Sequence, residues 1–270
     1  MDAPLDAAAL EAVQAADIVV VRGSYDHVEQ VLEALELPHT TVAHPDQVGQ
    51  LRLRPEQLLV VNCPGTIDPA GVNVVRRFVE SGGSLFTTDW ALRHVLEPAF
   101  PGVVAFNEQP TNDAVVRVEI CEHDNPFLRG VIDGADDPQW WLEGSSYPIR
   151  ILDTERVQVL LTSRELAEQW GEAAVAITFP WGEGEVFHMI SHYYLQRTEL
   201  RSARHRAGAG MYAAEKGVAM TAPLAADLDG LSVGDVESAQ TSARWMANVV
   251  AAKQRKNQER RAGRATKERT

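Results

Sequence analysis

Three side chains in this 270-residue chain join a reactive type to a suggestive position. Asp89 closes the apolar run SLFTT and precedes Trp90, so it stands where a strand turns into a helix; in an open α/β sheet that junction faces the ligand crevice. His192 stands at the end of GEVFHMIS, a second run of the same kind. A carboxylate and an imidazole brought together there could bind a metal or activate a water, a pairing able to support hydrolysis. Asp89 also fits a plainer role as N-cap of a helix over 90–96, accepting backbone N–H groups and complementing the helix dipole. The two roles are compatible, since a cap at such a turn faces the crevice anyway. Cys63, in NCPG, follows a buried run and precedes Pro-Gly. That places it at the pocket rim, where a thiolate could attack a substrate, although no His follows in its loop.

Other residues offer weaker chemistry. His188 lies four residues before His192, and on a strand that spacing separates two imidazoles by about 13 Å, too far to share one zinc ion. Arg22 and Gly23, after the first strand, could meet an anion near a positively polarised helix N-terminus. The following GSYD lacks both the GxGxxG and the GxxxxGK[ST] patterns, so nucleotide binding is not expected. Trp140, Trp141 and Tyr147 could wall the pocket with rings or pin an insertion to the sheet. No sequence pattern calls for a cofactor or a structural metal site.

The elements that must position these residues alternate regularly. DIVVVRG (17–23), TTVA (40–43), LLVVNCPG (58–65) and SLFTTDW (84–90) are strand candidates, separated by helical segments at 27–37 and 69–83. Strands apolar throughout, alternating with helices, predict a doubly wound, mostly parallel α/β sheet covered on both faces. After Pro101 the chain becomes β-rich, with strands at 103–106, 114–120, 157–162, 173–180 and 184–191; Trp181-Gly182-Glu183 joins the last two as a hairpin. Residues 233–253 have the spacing of an amphipathic terminal helix.

These segments, in this order, resemble the class I glutamine amidotransferase-like superfamily, and within it the trehalose-utilisation-like (ThuA-like) branch. VVRGSYDHVEQVLEAL, LLVVNCPGTID, FVESGGSLFTTD, HDNPFLRG and AAVAITFPWGEGEVFHMISHYY carry the likeness, over residues 15–195. It implies a flavodoxin-like sandwich with the pocket at the C-terminal ends of the strands. Active members of the superfamily place a Cys nucleophile on the sharp strand-to-helix turn. Here that turn falls at Thr87-Thr88-Asp89-Trp90, without Cys or Ser, so amide transfer from glutamine is not expected. The resemblance sets His192 at the catalytic His position and makes Asp89 and His192 the catalytic candidates. Arg22, Cys63, Thr88, Trp90 and Tyr147 are the candidate ligand contacts.

Charge and composition bound the remaining choices. The net charge is −13, but residues 253–270 hold eight Lys/Arg and two Glu, leaving an acidic body of −19 over residues 1–252. Such a body repels nucleic acid, which would have to bind through the basic tail. Two cysteines without a CxxC pattern suit a reducing compartment. No apolar stretch is long enough for a membrane span and the N-terminus is acidic, so a cytoplasmic protein is expected. The expected organisation is an α/β domain over 1–232, a terminal helix over 233–252 and a disordered basic tail over 253–270. Function is then expected to be that of a small-molecule-binding or scaffold protein without the nucleophilic thiol, with a small molecule or protein as partner and homo-oligomers allowed. The alternative is a hydrolase or sugar-modifying enzyme using Asp89 and His192. A third reading is a tail-driven adaptor for nucleic acid or another anionic partner.

Overall fold

The computed structural model describes residues 4–42, 44–122, 124–193 and 197–267. Its strands, in chain order, are β1 (Ile18–Val21), β2 (Thr40–Val42), β3 (Leu58–Val61), β4 (Ser84–Thr88), β5 (Val104–Phe106) and β6 (Ala114–Arg117), then β7 (Glu119–Ile120), β8 (Gln139–Leu142), β9 (Ile149–Ile151), β10 (Gln158–Thr162), β11 (Ala174–Trp181) and β12 (Gly184–Met189). The central sheet runs β2-β1-β3-β4-β12-β11-β10-β7. Neighbours from β2 through β12 are parallel, and β11, β10 and β7 continue antiparallel.

The expected α/β sheet is therefore present, and so is the hairpin of β11 and β12, with Trp181 opposite Gly184. This hairpin decides the site. By returning β12 parallel to β4, with Met189 beside Thr88, it brings the segment after β12 next to the turn after β4. Strands β1, β3 and β4 are buried throughout, as β-branched and apolar runs must be when both sheet faces are covered.

One cover is the helix Pro69–Glu80, started by Asp68, whose side chain accepts from the Gly71 N–H, and buried along Val72, Val75, Phe78 and Val79. Another is the terminal helix Val233–Lys267. Its Trp245 packs 5.1 Å from Phe86 and 6.2 Å from Trp140, ring centre to ring centre. The helix does not stop at 252, which corrects the expectation of a disordered tail. Lys253 Nζ donates to the carbonyls of Pro55 (2.6 Å) and Gly82 (2.9 Å), and Asn257 to that of Glu56 (2.7 Å). The basic run is thus fastened to the residues that lead into β3 and β4, at the sheet end opposite the site. Residues 268–270 lie outside the described residues.

The aromatic insertion is more regular than its sequence suggests. β6 pairs with β8, and β5 with β9, as two small antiparallel ladders. Trp140 is fully buried and donates to Thr241 on the terminal helix (3.0 Å), so it pins the insertion instead of walling a pocket. Among the described residues no helix is long and apolar enough to cross a membrane.

Candidate active site

Asp89 follows β4 directly, with φ +42, a left-handed conformation that a side chain with a Cβ adopts at some cost. Its N–H donates to Met189 O (2.8 Å) on β12, which locks the turn against the neighbouring strand. The chain then enters Leu92–Leu96, a wide helical turn, and Glu97–Ala99. Asp89 does not cap this helix, contrary to the simpler expectation. Its carboxylate points across the crevice and accepts from the Tyr147 N–H at 2.8 Å, the Ser146 hydroxyl at 3.1 Å and His192 Nε2 at 3.1 Å.

His192 follows β12 and is 2% exposed. While Nε2 faces Asp89, Nδ1 lies 2.7 Å from Glu143 Oε2. Burial alone would lower the imidazole pKa. Hydrogen bonding to Asp89 and Cys63, with the charges of Asp26 and Asp89, outweighs it and holds His192 up to about 11. For Asp89, burial pushes the carboxyl up, and the hydrogen bond and charge of His192 offset only part of that rise. The two effects bear on one proton between them. We assign it to the imidazole, because Asp89 already accepts two further hydrogen bonds that favour its charged form.

Cys63 enters from the next strand of the sheet, two residues past the end of β3. It is 1% exposed, so it forms part of the crevice floor and not its rim. Its N–H donates to Thr88 Oγ1 (3.0 Å), and its Sγ lies 4.0 Å from Asp89 Oδ2. Its carbonyl accepts from the N–H groups of Ser24 and Tyr25, and this approach is why residue 23 is glycine: a Cβ there would sit 2.1 Å from that oxygen. Burial pushes the thiol up to about 11; His192 lowers it and the Asp89 charge raises it. Cys63 is therefore a neutral thiol at ordinary pH.

Behind these residues Asp26 is fully buried. Its Oδ1 accepts from the N–H groups of His27 (2.8 Å) and Tyr193 (2.9 Å), and burial raises its pKa while the His192 charge lowers it. Above them opens a cavity of about 180 Å³ lined by Tyr25, Cys63, Asp89, Trp90, Glu143, Gly144, Ser145 and His192. An aromatic stack forms one side. Trp90 packs against Tyr25 (5.4 Å) and Tyr147 (5.3 Å), Tyr147 against Phe106 (4.0 Å), and the Trp90 indole N–H donates to Ser145 O at 2.7 Å.

The structure thus brings Asp89, His192 and Cys63 together, with Trp90 on the wall, Tyr147 behind it and Thr88 bracing Cys63. Arg22 does not join them: it is absent from the cavity lining. His188 is separate as well, buried with Nδ1 2.8 Å from Thr87 Oγ1. Sequence reasoning missed Glu143, Ser146 and Asp26. For the first two the available signal was the short polar turn EGSS between the apolar QWWL and YPI; nothing in Asp26's surroundings marked it.

No family model matches the chain, and no curated protein does. Solved structures do. A glutamine amidotransferase from Thermotoga maritima superposes with a TM-score of 0.51 at 9% identity, over 87% of this chain and 97% of that one. The fold is glutamine amidotransferase-like. A putative GMP synthase component from Thermoplasma acidophilum gives 0.50 at 12% identity, over 90% and 96%. An exo-β-1,4-mannosidase from Opitutaceae bacterium strain TAV5 gives 0.45 at 10% identity; this chain covers 31% of that protein's length. At these identities the likeness concerns the fold alone.

Proposed function

We propose that this chain is a hydrolase of small polar molecules, whose reacting centre is Glu143 supported by His192 and Asp89. The observation that supports it is the buried imidazole held between two carboxylates at a cavity floor, Asp89 at 3.1 Å and Glu143 at 2.7 Å. A binding or scaffold module needs the cavity but gives no reason for this arrangement, in which strained backbone, buried charge and an ordered imidazole converge on one place.

Each residue then has a distinct task. Asp89, saturated by hydrogen bonds, is the fixed anchor. His192 transmits that anchor to Glu143, whose side chain is 39% exposed and is the acid that reaches the cavity. The attacking water forms its bond to the electrophilic carbon while its proton passes to Glu143. As the bond to the leaving group breaks, Glu143 returns the proton to it. Cys63 is not the nucleophile, because its thiol stays protonated and His192, already charged, cannot take that proton. Trp90 and Tyr25 offer ring faces to the apolar side of a substrate. The non-amidotransferase, ThuA-like reading fits this division, with the elbow position kept and its thiol chemistry replaced.

The test is a panel of p-nitrophenyl esters, p-nitrophenyl glycosides and small anilides. Turnover of at least one class is expected, with kcat reduced about 100-fold or more in both Glu143→Gln and His192→Gln. If no class is turned over, or if turnover survives in both folded variants, the hydrolase reading fails and the binding-module reading takes its place.

A further inference from the structure

The candidate active site contains a thiol, Cys63, that the acid-base description leaves without a role, set beside the Asp89–His192 pair. Cys63 Sγ, Asp89 and His192 offer one soft and two borderline or hard ligand atoms, all within 4.8 Å of one another and all buried. We propose that these three side chains hold a zinc ion, with its remaining position turned toward the cavity. The inference deepens the hydrolase reading and rests on the same site.

Four observations carry it. The first is separation. His192 Nε2 and Asp89 Oδ2 are 3.1 Å apart, and Cys63 Sγ and the same oxygen 4.0 Å. Ligands about 2.0–2.3 Å from a tetrahedral zinc stand roughly 3.3–3.6 Å from one another, so these two gaps change by a few tenths of an ångström, while Sγ and the imidazole, within 4.8 Å, draw together. The second is support for the histidine. Metal-binding imidazoles regularly donate their other N–H to a carboxylate, which fixes the tautomer and the ring; Glu143 Oε2 stands 2.7 Å from His192 Nδ1, off the hydrogen-bond direction, so a small turn of the partly exposed Glu143 side chain completes that contact.

The third is support for the carboxylate: Asp89 Oδ1 accepts from the Tyr147 N–H at 2.8 Å, which fixes the group while Oδ2 faces the other two donors. The fourth is charge. Asp26, Asp89 and Glu143 surround one imidazole, so the cluster favours a cation, and the mixed S, N and O set selects zinc over magnesium or calcium, which prefer oxygen alone. Three protein ligands with an open position is the pattern of catalytic zinc, whereas structural sites use four. The ion would replace two protons, the one between Nε2 and Oδ2 and the one on the Cys63 thiol, both released to solvent as zinc binds, and Glu143 would keep its place beside Nδ1.

The experiment uses the full-length chain, stripped with chelator and then titrated with Zn²⁺ and, separately, with Co²⁺ as a spectroscopic probe. One equivalent of zinc should survive desalting. The cobalt form should show a sulfur-to-cobalt charge-transfer band that disappears in Cys63→Ser, and Glu143→Gln should weaken zinc binding by about 10–100-fold. Should Cys63→Ser fail to fold, Asp89→Asn and His192→Gln serve instead, each expected to abolish retention of the ion. Sub-stoichiometric zinc, a cobalt spectrum without thiolate contribution, or equal affinity in wild type and His192→Gln would overturn the proposal. Stoichiometric zinc without turnover on the substrate panel would sink the hydrolase reading and leave the metal site standing; turnover by a protein that retains only sub-stoichiometric zinc would do the reverse.

Discussion

Replacing His192 by Gln in the metal-free protein tests whether its imidazole is the counter-charge of Asp89. Both side chains are 2% exposed and 3.1 Å apart, so solvent does little to screen the pair. Removing one partner of a buried pair costs about 3–5 kcal/mol, because the other charge is left in low dielectric. In a chain of this size that lowers Tm by roughly 6–20 °C at about 2–4 °C per kcal/mol. Glu143, partly exposed, adds little. Asp89→Asn should cost a similar amount, and the double variant should cost far less than the sum of the two. The coupling energy from denaturant melts at pH 7 should therefore be about 2–4 kcal/mol, somewhat below the full cost because an orphaned Asp89 can bind a proton.

The pH dependence has a fixed sign. Folding raises the His192 pKa from 6.5 to about 11, so its stabilisation is complete below pH 6.5 and is lost as pH rises toward 11. Wild-type stability should fall across that window more steeply than that of His192→Gln. Additive single variants, with coupling under about 0.5 kcal/mol, or parallel pH profiles would refute the buried ion pair.

Three further outcomes are expected. His188 is fully buried, and burial depresses its pKa from 6.5 to about 3; stability present above pH 6.5 should be lost by about 4–5 kcal/mol as pH falls to 3, and His188→Gln should flatten that acid limb in pH-dependent melts. Deleting residues 253–270 removes the bonds of Lys253 to Pro55 and Gly82 and of Asn257 to Glu56, so the truncated chain should lose about 3 kcal/mol in urea melts, whereas unchanged stability would return the segment to the status of a dispensable tail. Gly23→Ala should cost about 1–3 kcal/mol through the collision with the Cys63 carbonyl and should displace Cys63 enough to weaken the cobalt-thiolate band.

Much of the scaffold could be read in advance because its signals are local. Continuous apolar runs such as LLVV and SLFTT, separated by helical spacing, leave a covered parallel sheet as the sensible arrangement, and WGE between two apolar runs marks a hairpin. The hairpin in turn places His192 beside Asp89, so half of the site follows from topology. The rest depends on contacts that sequence distance hides. Glu143 and Ser146 reach the Asp89–His192 pair because β8 pairs with β6 and carries the EGSS turn over the crevice. Cys63 joins because β3 lies beside β4, which puts the ends of consecutive strands within reach. The misjudged tail has the same origin: its basic side chains look solvated in isolation, but backbone carbonyls before β3 and β4 are waiting for them.

The aspartate at the elbow ties these points together. A turn held at φ +42 and bonded to the adjacent strand presents whatever side chain it carries to the crevice, so the fold supplies a position and leaves its chemistry open. A carboxylate there cannot serve as the thiol that acyl transfer from glutamine would use, yet it draws in an imidazole, while burial, helped by the carboxylate's charge, keeps the thiol from the neighbouring strand protonated. On the proposed reading, the reactivity of the crevice moves outward from this turn to Glu143 and to the cation the cluster would hold. That is why the elbow variant and the Glu143 variant should differ in kind: Asp89→Asn disturbs stability and the anchor together, whereas Glu143→Gln, partly exposed and at the cavity, should lower turnover while leaving the melting temperature nearly unchanged.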